Sequence, residues 1–427
     1  MLEKQQQIKI IGTKIDYLGQ GVARHNNQVV FIPGLIDDEE AIVEITNVKK
    51  SFAVAKIIEI LKPSSDRKAI NPLHLTSLDL AHLSIEKQLK WQVDTTIETF
   101  DKIAGLDQRV EPIIFDGHSE YYRNKAVFRV DTEPYLQLLM FSNNNQNRIP
   151  VDHFILANRK INEALEIIAK AKIKVEDKYL NAIAFRSNDQ DQLLVTLIAK
   201  KNESKGLSEL VNVIKKIKGV VGITLNVQDD PRHILGKKSF LLYGVNELLQ
   251  TNNNNLRIII NDRSFFQVNS LINRAYDLIA EDLESNSTII DAYSGVGSIG
   301  FSLIEKAKKV HLVDTNFENI KNARITIKEN NLSDVSALCM DANEAIKKLE
   351  ADALIVDPPR QGLNNATINA ILERDFKKIY YLSCDLKTLV RDLNLLSTQY
   401  EIKKVHPIRM FMHTTETETL VILKNKK

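Results

Sequence analysis

The sequence predicts an α/β protein: a C-terminal parallel sheet with helices on both faces, preceded by a small β-barrel and an α+β central domain. Three observations indicate this fold class. From about residue 256 onward, short apolar segments alternate with helical segments, as in parallel sheets. Residues 1–61 contain strand-like segments separated by glycine and proline, as in small barrels. The residues between these two regions mix strand and helix patterns.

The composition is that of an ordinary globular protein with more than one domain. Its 427 residues exceed the roughly 250 to 300 at which a single hydrophobic core stops growing, so we expect two or three domains. Hydrophobic residues make up 44% and charged residues 26%, which argues against disorder or a fibrous repeat. No apolar run approaches the roughly 20 residues of a membrane helix, and the N-terminus lacks the apolar core of a signal peptide. We therefore expect a cytoplasmic protein without a membrane partner.

Net charge and cysteine content limit the possible functions only loosely. The formal net charge is +2 and the pI is near 8.2, so composition alone does not indicate a nucleic-acid partner. The two cysteines, Cys339 and Cys384, are too few for a disulfide framework or a multi-cysteine metal site. Each cysteine therefore needs its own explanation.

Residues 1–61 are predicted to form the barrel. β-Branched residues alternate with other residues between the turn residues Gly19, Gly21, Pro33 and Gly34, a pattern typical of short strands. The following segment, PSSDRKAINP, contains two prolines and two serines. Because these residues disfavour both helix and central strand, the segment is predicted to be a linker.

Residues 62–255 are predicted to form the central domain. A helix is expected over residues 84–105, and it could pack on the C-terminal domain. Its apolar positions, three or four residues apart, and its terminal glycine are Leu89, Val93, Ile97, Phe100 and Gly105. The polar tract TNNNNL is predicted to close the central domain, so that the C-terminal domain spans residues 256–427.

A glycine-rich turn follows the first apolar strand of the C-terminal domain. The sequence DAYSGVGSIG contains Gly295, Gly297 and Gly300, a spacing that permits a tight turn and lets a ligand approach the free amides of a helix N-terminus. The next strand ends at Asp314, whose carboxylate could accept hydrogen bonds from two ribose hydroxyls. These features indicate a nucleoside ligand. They fit a dinucleotide-dependent oxidoreductase as well, and a purely structural turn is a further alternative.

Other polar residues at strand ends favour a different cofactor. The strand before the glycines ends in Asp291, a position familiar from S-adenosylmethionine-dependent methyltransferases, in which an acid near the turn can meet the cationic methionine portion. Asp341 follows the third apolar segment, where such enzymes hold the adenine. In LIVDPPRQG, two prolines stiffen the chain between Asp357 and Arg360. Methyltransferases acting on exocyclic amino groups usually have Asn-Pro-Pro-aromatic there, so that reaction is not indicated; a rigid turn with an exposed ion pair is the alternative.

Cys384 follows the next apolar strand, at the end where ligands bind in such sheets. A cysteine in an apolar strand is more often a small core residue than a nucleophile. Here Lys387, Arg391 or a helix N-terminus could supply the cationic or dipolar surroundings that a reactive thiolate needs. We therefore interpret Cys384 as a candidate nucleophile and Cys339, which lacks this context, as the structural cysteine.

The last segment, RMFMHTTETETLVIL, carries three polar candidates before the final apolar strand: His413, Glu416 and Glu418. Alternation along a strand puts Glu416 and Glu418 on the same face. Both could be solvated surface acids. An acid that faces inward could instead act as a general base.

These residues together carry a family resemblance. The chain resembles, over nearly its whole length, the uracil-5-methyltransferases that modify structured RNA, especially the branch that acts on 23S ribosomal RNA. Residues 19–61 resemble the small TRAM barrel that precedes the catalytic part in that branch. The motifs that match the family's blocks in order are FFQVNSLINRAY, DAYSGVGSIG, VDPPRQG, SCDLKTLVRDL and MHTTETETLVIL. The resemblance implies a class I S-adenosylmethionine methyltransferase domain of the Rossmann-like type, with S-adenosylmethionine as cofactor.

The resemblance also implies roles for individual residues. Cys384 would add to carbon 6 of a uracil and activate carbon 5, and Glu418 matches the base that removes the proton from carbon 5. Glu416 stands where the family commonly has histidine. The positions that match the cofactor pocket are Gln267, Tyr293, Ser298, Asp314, Asp341 and Asp357. Gln267 and Asp357 could also contact the uracil.

An RNA partner follows from the same resemblance. The segment YYRNKAVFRV resembles the part of the central domain that faces the RNA, with Arg123, Asn124 and Lys125 as expected contacts. An ordinary solvated strand is the alternative. The target uridine must leave its stack, which is easiest in single-stranded or loop RNA. The TRAM-like barrel favours 23S ribosomal RNA over the T-loop of transfer RNA, and we expect a monomer.

The chain departs from the family at several positions. Many relatives hold an iron–sulfur cluster on four cysteines in the central domain, but Leu75, Leu78 and Phe154 stand at three of these positions. Two cysteines cannot supply four thiolates, so we predict no iron–sulfur cluster and no other metal. Arg409 and Met412 replace the aspartate and the proline of the motif Asp-x-Phe-Pro that precedes the base.

Two hypotheses from other classes remain. A nicotinamide-dependent oxidoreductase would use the same glycine turn, but it leaves Cys384, the proline pair and the barrel unexplained. A catalytically silent RNA-binding or ribosome-assembly protein would need none of the candidate catalytic residues. Formation of 5-methyluridine, and its loss on substitution of Cys384, separates these hypotheses from a methyltransferase.

Overall fold

Three structural units follow one another along the chain. The computed structural model describes residues 2–69, 78–104, 110–141, 147–176, 179–202 and 205–427. Within these ranges the units are a closed β-barrel, a seven-stranded sheet with helices on one face, and a second seven-stranded sheet with helices on both faces. None of the helices in this part of the chain is long and apolar enough to cross a membrane. Leu75 and Gly105 lie outside the described residues.

Five strands close the N-terminal barrel. They are β1 Gln7–Ile15, β2 Gln20–His25, β3 Gln28–Pro33, β4 Glu40–Val48 and β5 Phe52–Lys62, in the order β1-β2-β3-β5-β4. Alternate side chains point inward, and Ala23, Val30 and Val43 are among those that fill the interior without exposure. Asn26 and Asn27 have φ values of 46° and 65°, which suit the two-residue turn that joins β2 to β3.

Helix α1, Ile85–Ala104, follows the barrel and packs on the C-terminal unit. The sequence predicted this helix from its apolar residues, but its buried face is largely polar. Gln88, Gln92 and Thr96 have no exposure, whereas Ile97 is 39% exposed. The apolar spacing therefore identified the helix but not its inner face. Buried amides are tolerated where they find hydrogen-bond partners, and those of α1 do.

The central unit is a seven-stranded sheet with two helices on one face. Its strands are β6 Lys125–Asp131, β7 Gln137–Phe141, β8 Arg148–Pro150, β9 Leu180–Ser187, β10 Leu193–Ala199, β11 Val220–Val227 and β12 Lys238–Gly244. Its helices are α2 Arg159–Lys170 and α3 Ser208–Ile214. The order across the sheet is β12-β11-β10-β9-β6-β7-β8, and β10 pairs with β11 in parallel. Phe128, Ile183 and Leu225 share one hydrophobic core with both helices.

A short hairpin of β13 Leu248–Thr251 and β14 Arg257–Ile260 precedes the C-terminal sheet. The polar tract that was predicted to close the central domain is the turn of this hairpin. Leu248 and Ile258 are buried in a core that contains residues of the C-terminal sheet and also Leu194 of β10. The hairpin therefore contacts both sheets, and the boundary between residues 255 and 256 stays a prediction.

The C-terminal unit is a mixed sheet with helices on both faces. Its parallel strands are β15 Ser287–Ala292, β16 Ala307–Asp314, β17 Val335–Cys339, β18 Ala353–Val356 and β19 Lys378–Ser383, and its antiparallel strands are β20 Tyr400–Ile408 and β21 Glu418–Asn425. One face is covered by α4 Asn273–Asp282, α5 Ser298–Ser302 and α6 Phe317–Glu329. The other is covered by α7 Ala342–Lys348, α8 Asn365–Leu372 and α9 Leu386–Leu396. The strand order is β17-β16-β15-β18-β19-β21-β20, which confirms the predicted fold and places a topological switch point at the carboxyl end of β15.

Candidate active site

Four candidate residues meet at one edge of the C-terminal sheet. Asp314 ends β16, Asp357 follows β18, and Cys384 follows β19. Because β21 runs antiparallel to β19, its first residue, Glu418, lies at the same edge. These four side chains line one open cleft with a volume of about 960 Å³. The cleft is large enough for a nucleotide and part of a second small molecule.

The glycine turn lies beside this cleft. Gly295 and Gly297 have φ values of 56° and 93°, which glycine adopts without strain. A Cβ atom at Gly297 would lie 2.6 Å from Leu312 Cδ1, so the turn packs directly on β16. The Gly295 amide donates to Asp314 Oδ2 at 2.9 Å, which holds that carboxylate next to the turn. Burial raises the pKa of Asp314.

Asp291 is fully buried at the end of β15. Its Oδ2 accepts a hydrogen bond from the Gly300 amide at 2.8 Å, whereas its Oδ1 has no hydrogen-bond partner among the described residues. Burial raises the pKa of Asp291 to about 8, and the charges of Asp357 and Asp314 act in the same direction. An orphaned buried acceptor is uncommon, and it suits a site whose ligand brings a hydrogen-bond donor.

Most of the predicted cofactor residues surround the same space. Those that line the cleft or the small cavity adjoining it are Gln267, Tyr293, Ser298, Asp314 and Asp357. Asp341 is not in this lining, and its carboxylate caps α7 by accepting from the Asn343 amide at 2.9 Å. Carboxylates for ribose hydroxyls and for an ammonium group, together with close backbone approach at Gly295, are what S-adenosylmethionine requires. The residues present therefore fit this cofactor.

Cys384 lies between the end of β19 and the N-terminus of α9, and its thiol is half-buried. Burial raises the pKa of the thiol to about 12, with contributions from the carboxylates of Glu418 and Asp357, and the Arg360 guanidinium opposes this rise. The thiol is therefore protonated at neutral pH. A nucleophilic role requires a group that takes this proton when the thiol reacts.

The surroundings predicted for the two cysteines are partly wrong. Lys387 Nζ lies 3.5 Å from the centre of the Tyr17 ring in the barrel, and Arg391 pairs with Asp392 on its own helix. Both cations therefore have partners other than the Cys384 thiol. Cys339, predicted to be the structural cysteine, is exposed at the end of edge strand β17. An edge strand has a neighbour on one side only, so its apolar context does not ensure burial.

Glu418 and Asp357 are two carboxyl groups of the cleft, and the charge of Asp357 acts on Glu418. Glu418 is buried, and its Oε1 has no hydrogen-bond partner among the described residues. Burial raises the pKa of Glu418 well above its usual range, and Asp357 and Glu416 add to this. Burial also raises the pKa of Asp357, although Gln267 Nε2 donates to its Oδ2 at 3.1 Å. Two carboxyl groups in such surroundings do not ionise together readily, so the pair holds a proton near neutral pH and can exchange it with a bound group.

The mouth of the cleft carries two arginines. Arg360 forms an ion pair with Glu416, and its side chain is 68% exposed. The guanidinium carbon of Arg123 lies 5.6 Å from the centre of the Phe411 ring. Arginine side chains in this position can bind phosphate groups at the entrance of the cleft.

Of the three predicted RNA contacts, Arg123 lines the cleft and the other two do not. Asn124 donates from Nδ2 to the Gln267 carbonyl at 3.0 Å, which joins the central unit to the segment carrying Gln267. Lys125 pairs across strands with Arg186. Burial lowers the pKa of Lys125 to about 7, and the charge of Arg186 acts in the same direction. Asn124 is therefore engaged within the protein, and the half-buried Lys125 lies beside another cation.

The sequence did not single out Phe265, although it lines the cleft. Its ring lies beside Gly295 and remains 57% exposed. An exposed aromatic ring at this place can stack on a base. The one signal in the sequence was its position in FFQVN, two residues before Gln267.

The positions that correspond to metal ligands in many relatives are apolar here. Phe154 is buried in the core of the central unit, and Leu78 packs against that core. Among the described residues, no group of three or more His, Cys, Asp or Glu side chains could hold a metal ion. The absence of an iron–sulfur cluster rests on the cysteine count and stays a prediction.

Comparison with known proteins identifies the family. The family model described as tRNA (Uracil-5-)-methyltransferase matches residues 86–426, and the TRAM domain model matches residues 4–58. An uncharacterized RNA methyltransferase of Fusobacterium nucleatum is 31% identical and covers 100% of this chain and 97% of its own length. Another, of Lactobacillus johnsonii, is 30% identical and covers 99% of both chains.

A solved structure supports the same conclusion for the fold. The crystal structure of Pyrococcus abyssi tRNA (uracil-54, C5)-methyltransferase in complex with S-adenosyl-L-homocysteine matches with a TM-score of 0.75 and 22% identity, covering 97% of this chain and 100% of that chain. The family match decides against the nicotinamide-dependent hypothesis. This chain belongs to the tRNA (uracil-5-)-methyltransferase family, a family of S-adenosylmethionine-dependent RNA methyltransferases, and its N-terminal barrel is a TRAM domain.

Proposed function

We propose that this protein methylates carbon 5 of a uridine in 23S ribosomal RNA, and that Cys384 forms a transient covalent bond to carbon 6 of that uridine. The observation that carries this proposal is the meeting of Cys384, Glu418 and the Asp357–Gln267 pair in one cleft beside the glycine turn. Carbon 5 of uracil is a poor nucleophile. A thiol that adds to carbon 6 and a base next to it are the groups that make carbon 5 reactive.

The first step is attack by Cys384 on carbon 6. As the sulfur–carbon bond forms, the thiol proton passes to the ionised member of the Asp357–Glu418 pair. The electron pair of the C5=C6 bond moves toward carbon 5 and the oxygen on carbon 4, so carbon 5 becomes nucleophilic. S-adenosylmethionine, when bound at the glycine turn, would supply the methyl group to carbon 5 and would leave as S-adenosyl-L-homocysteine. Gln267 and Asp357 hold the edge of the uracil while this happens.

The last step is removal of the proton from carbon 5. The carboxyl pair has by then released a proton to the solvent of the open cleft, so that Glu418 can act as the base. When Glu418 takes the carbon 5 proton, the C5=C6 bond forms again and the bond between carbon 6 and sulfur breaks. Cys384 leaves as a thiolate and recovers its proton from Glu418, so one proton is released over the whole reaction.

The cleft favours a uridine that has left its stack. The half-buried thiol cannot reach a base inside a duplex, so the target must be unpaired or flipped out. Phe265 offers a ring on which a base can stack, and Arg123 and Arg360 can meet backbone phosphates. Binding through such cations should weaken steeply with increasing salt concentration.

The T-loop of transfer RNA is the second candidate substrate. The TRAM domain supports 23S ribosomal RNA. The match to the Pyrococcus abyssi tRNA (uracil-54, C5)-methyltransferase, which covers 97% of this chain, supports transfer RNA. That coverage includes most of the barrel, so the barrel favours 23S ribosomal RNA only through the family resemblance, and methylation assays on the two RNAs decide between them.

Incubation with labelled S-adenosylmethionine and unmodified 23S ribosomal RNA or transfer RNA tests the proposal. We expect 5-methyluridine in the digested ribosomal RNA and none with Cys384→Ala. Cys339→Ala is the matched control, because Cys339 lies outside the cleft, and it should keep wild-type activity. Methylation of transfer RNA alone would support the second substrate. RNA binding without methylation would support a catalytically silent RNA-binding protein.

A further inference from the structure

The loop between β20 and β21, residues 409–417, leads directly to the proposed base. Ile408 and Glu418 face each other where the two strands begin to pair, so the course of this loop sets the direction of the Glu418 carboxylate. His413 within the loop has a φ of 66°, a backbone conformation that residues other than glycine rarely adopt. Such a conformation persists only where surrounding contacts hold it.

Arg409 holds this loop from inside. Its side chain is 1% exposed. Nη1 donates to the Glu416 carbonyl at 3.2 Å, and Nη2 donates to the Thr414 carbonyl at 3.0 Å. One guanidinium group therefore fixes two carbonyls within the four residues before Glu418.

Helix α1 supplies the remaining partners of the loop. Gln92 Oε1 and Gln88 Oε1 accept from the same guanidinium group at 3.3 and 3.4 Å. Gln88 Oε1 also accepts from the His413 amide at 2.8 Å. Gln92 Nε2 donates to the carbonyls of Ile408 at 3.1 Å and Glu418 at 3.4 Å. The polar face of α1 thus contacts the start, the middle and the end of the loop.

The charge of Arg409 is unusual for its place. All four of its acceptors are neutral amide or carbonyl oxygens, and its guanidinium carbon lies 5.7 Å from the centre of the Trp91 ring. Burial lowers the pKa of Arg409 to about 10, so the group is charged at neutral pH. Burying a cation on neutral partners is costly. Stability alone does not explain it.

We propose that Arg409 is a positioning residue: together with α1, it holds loop 409–417 so that the Glu418 carboxylate reaches carbon 5 of the bound uracil. The inference rests on the proposed function, in which Glu418 acts after methyl transfer. Loss of Arg409 therefore slows the last step more than the attack by Cys384. The protein then stays covalently bound to methylated RNA.

Arg409→Met tests this, because methionine fills a similar space without charge or donors. Single-turnover methyl transfer should stay within about threefold of wild type, whereas release of methylated RNA, followed on denaturing gels, should slow about a hundredfold, the usual effect of a misplaced catalytic group. Arg409→Lys keeps the positive charge, but an ammonium group cannot reproduce the two separate donors Nη1 and Nη2, so this variant should slow the release of methylated RNA about tenfold. Glu418→Gln, which removes the base itself, is the positive control for accumulation of the covalent species.

Arg374→Met is the matched control. The Arg374 guanidinium also donates to two backbone carbonyls, here at the end of α7, at 3.3 and 3.0 Å. Arg374 lies between α8 and β19, at the opposite end of β19 from Cys384, so this variant should release RNA as the wild type does. If Arg409→Met does not fold, Gln92→Met makes the same test, since it removes one acceptor of the guanidinium group and the donor to the Glu418 carbonyl.

Three outcomes would overturn the assignment. The first is that Arg409→Met releases methylated RNA at the wild-type rate. The second applies where Arg409→Met does not fold, and it is that Gln92→Met releases methylated RNA at the wild-type rate. The third is equal accumulation of the covalent species by Arg374→Met. A wild type that forms neither 5-methyluridine nor a covalent species would instead overturn the proposed function, and the role of Arg409 with it.

Discussion

The reactivity of the two cysteines tests the electrostatics of the cleft. Burial and the carboxylates of Glu418 and Asp357 raise the pKa of Cys384 from 9.0 to about 12. At pH 8 a thiol with the ordinary pKa is about 10% ionised, whereas one with a pKa of 12 is about 0.01% ionised. Cys384 should therefore react with iodoacetamide about a thousandfold more slowly than an ordinary thiol. Because its pKa is raised, the rate should rise about tenfold for each pH unit up to pH 10 without a plateau.

Glu418→Gln is the perturbation that isolates this effect. After burial, Glu418 is the largest contributor to the raised pKa, so its neutralisation should lower the pKa of Cys384 and speed alkylation once the pH is high enough to ionise Glu418, whose own pKa is raised. Peptide mass spectrometry follows both cysteines in one sample, with exposed Cys339 as the internal reference. The reasoning is refuted if the rate for Cys384 levels off below about pH 9.5, or if Glu418→Gln leaves it unchanged.

Three further predictions concern the cofactor turn and the RNA. Because burial raises the pKa of Asp291 to about 8, the contribution of its protonated carboxyl to wild-type stability is fully present below about pH 4 and is lost as the pH rises toward 8. In urea unfolding, the free energy of unfolding of Asp291→Asn should therefore rise relative to that of the wild type across this window, by at most about 1.4 kcal/mol per pH unit. A difference between the two proteins that does not change with pH would count against this prediction. Gly297→Ala should lower the free energy of unfolding by about 1 to 3 kcal/mol, because the φ of Gly297 is 93° and a Cβ there would lie 2.6 Å from Leu312 Cδ1. The same variant should bind S-adenosyl-L-homocysteine more weakly in calorimetry. Wild-type values for the free energy of unfolding and for the affinity would contradict this. Arg123→Ala should weaken RNA binding and reduce the slope of log affinity against log salt by about 1 in filter-binding titrations, and an unchanged slope would rule out a phosphate contact.

The C-terminal sheet could be predicted because each of its strands is a short apolar segment that ends in a polar residue, as at Asp314 and Asp357. The inner face of α1 could not. Gln88 and Gln92 look like solvent-facing residues until Arg409 is known to lie against them, 317 positions along the chain from Gln92. Local patterns identify elements, but a buried polar face depends on a partner from another part of the fold.

The candidate site shows the same division. Cys384 could be placed at the ligand-binding edge because it follows a strand of the predicted parallel sheet. Glu418 was identified only through the family resemblance, because the sequence does not show that β21 runs antiparallel to β19. The sequence could not show which charged groups surround Cys384, because Lys387 on α9 contacts the Tyr17 ring of the barrel, and that contact depends on how the barrel packs against α9. Arg123 and Lys125 looked equivalent in sequence, yet only the pairing of β6 with β9 shows that Lys125 lies beside another cation, Arg186.

The covalent bond between Cys384 and the uridine is the central claim, and trapping with RNA that carries 5-fluorouridine tests it most directly. Fluorine on carbon 5 cannot be removed as a proton is, so the base cannot release the adduct. We predict a denaturation-resistant complex that forms only with S-adenosylmethionine present, maps to the peptide containing Cys384 and is absent with Cys384→Ala. Rapid methylation of ordinary uridine by a preparation that forms no such complex on the fluorinated RNA would contradict the account.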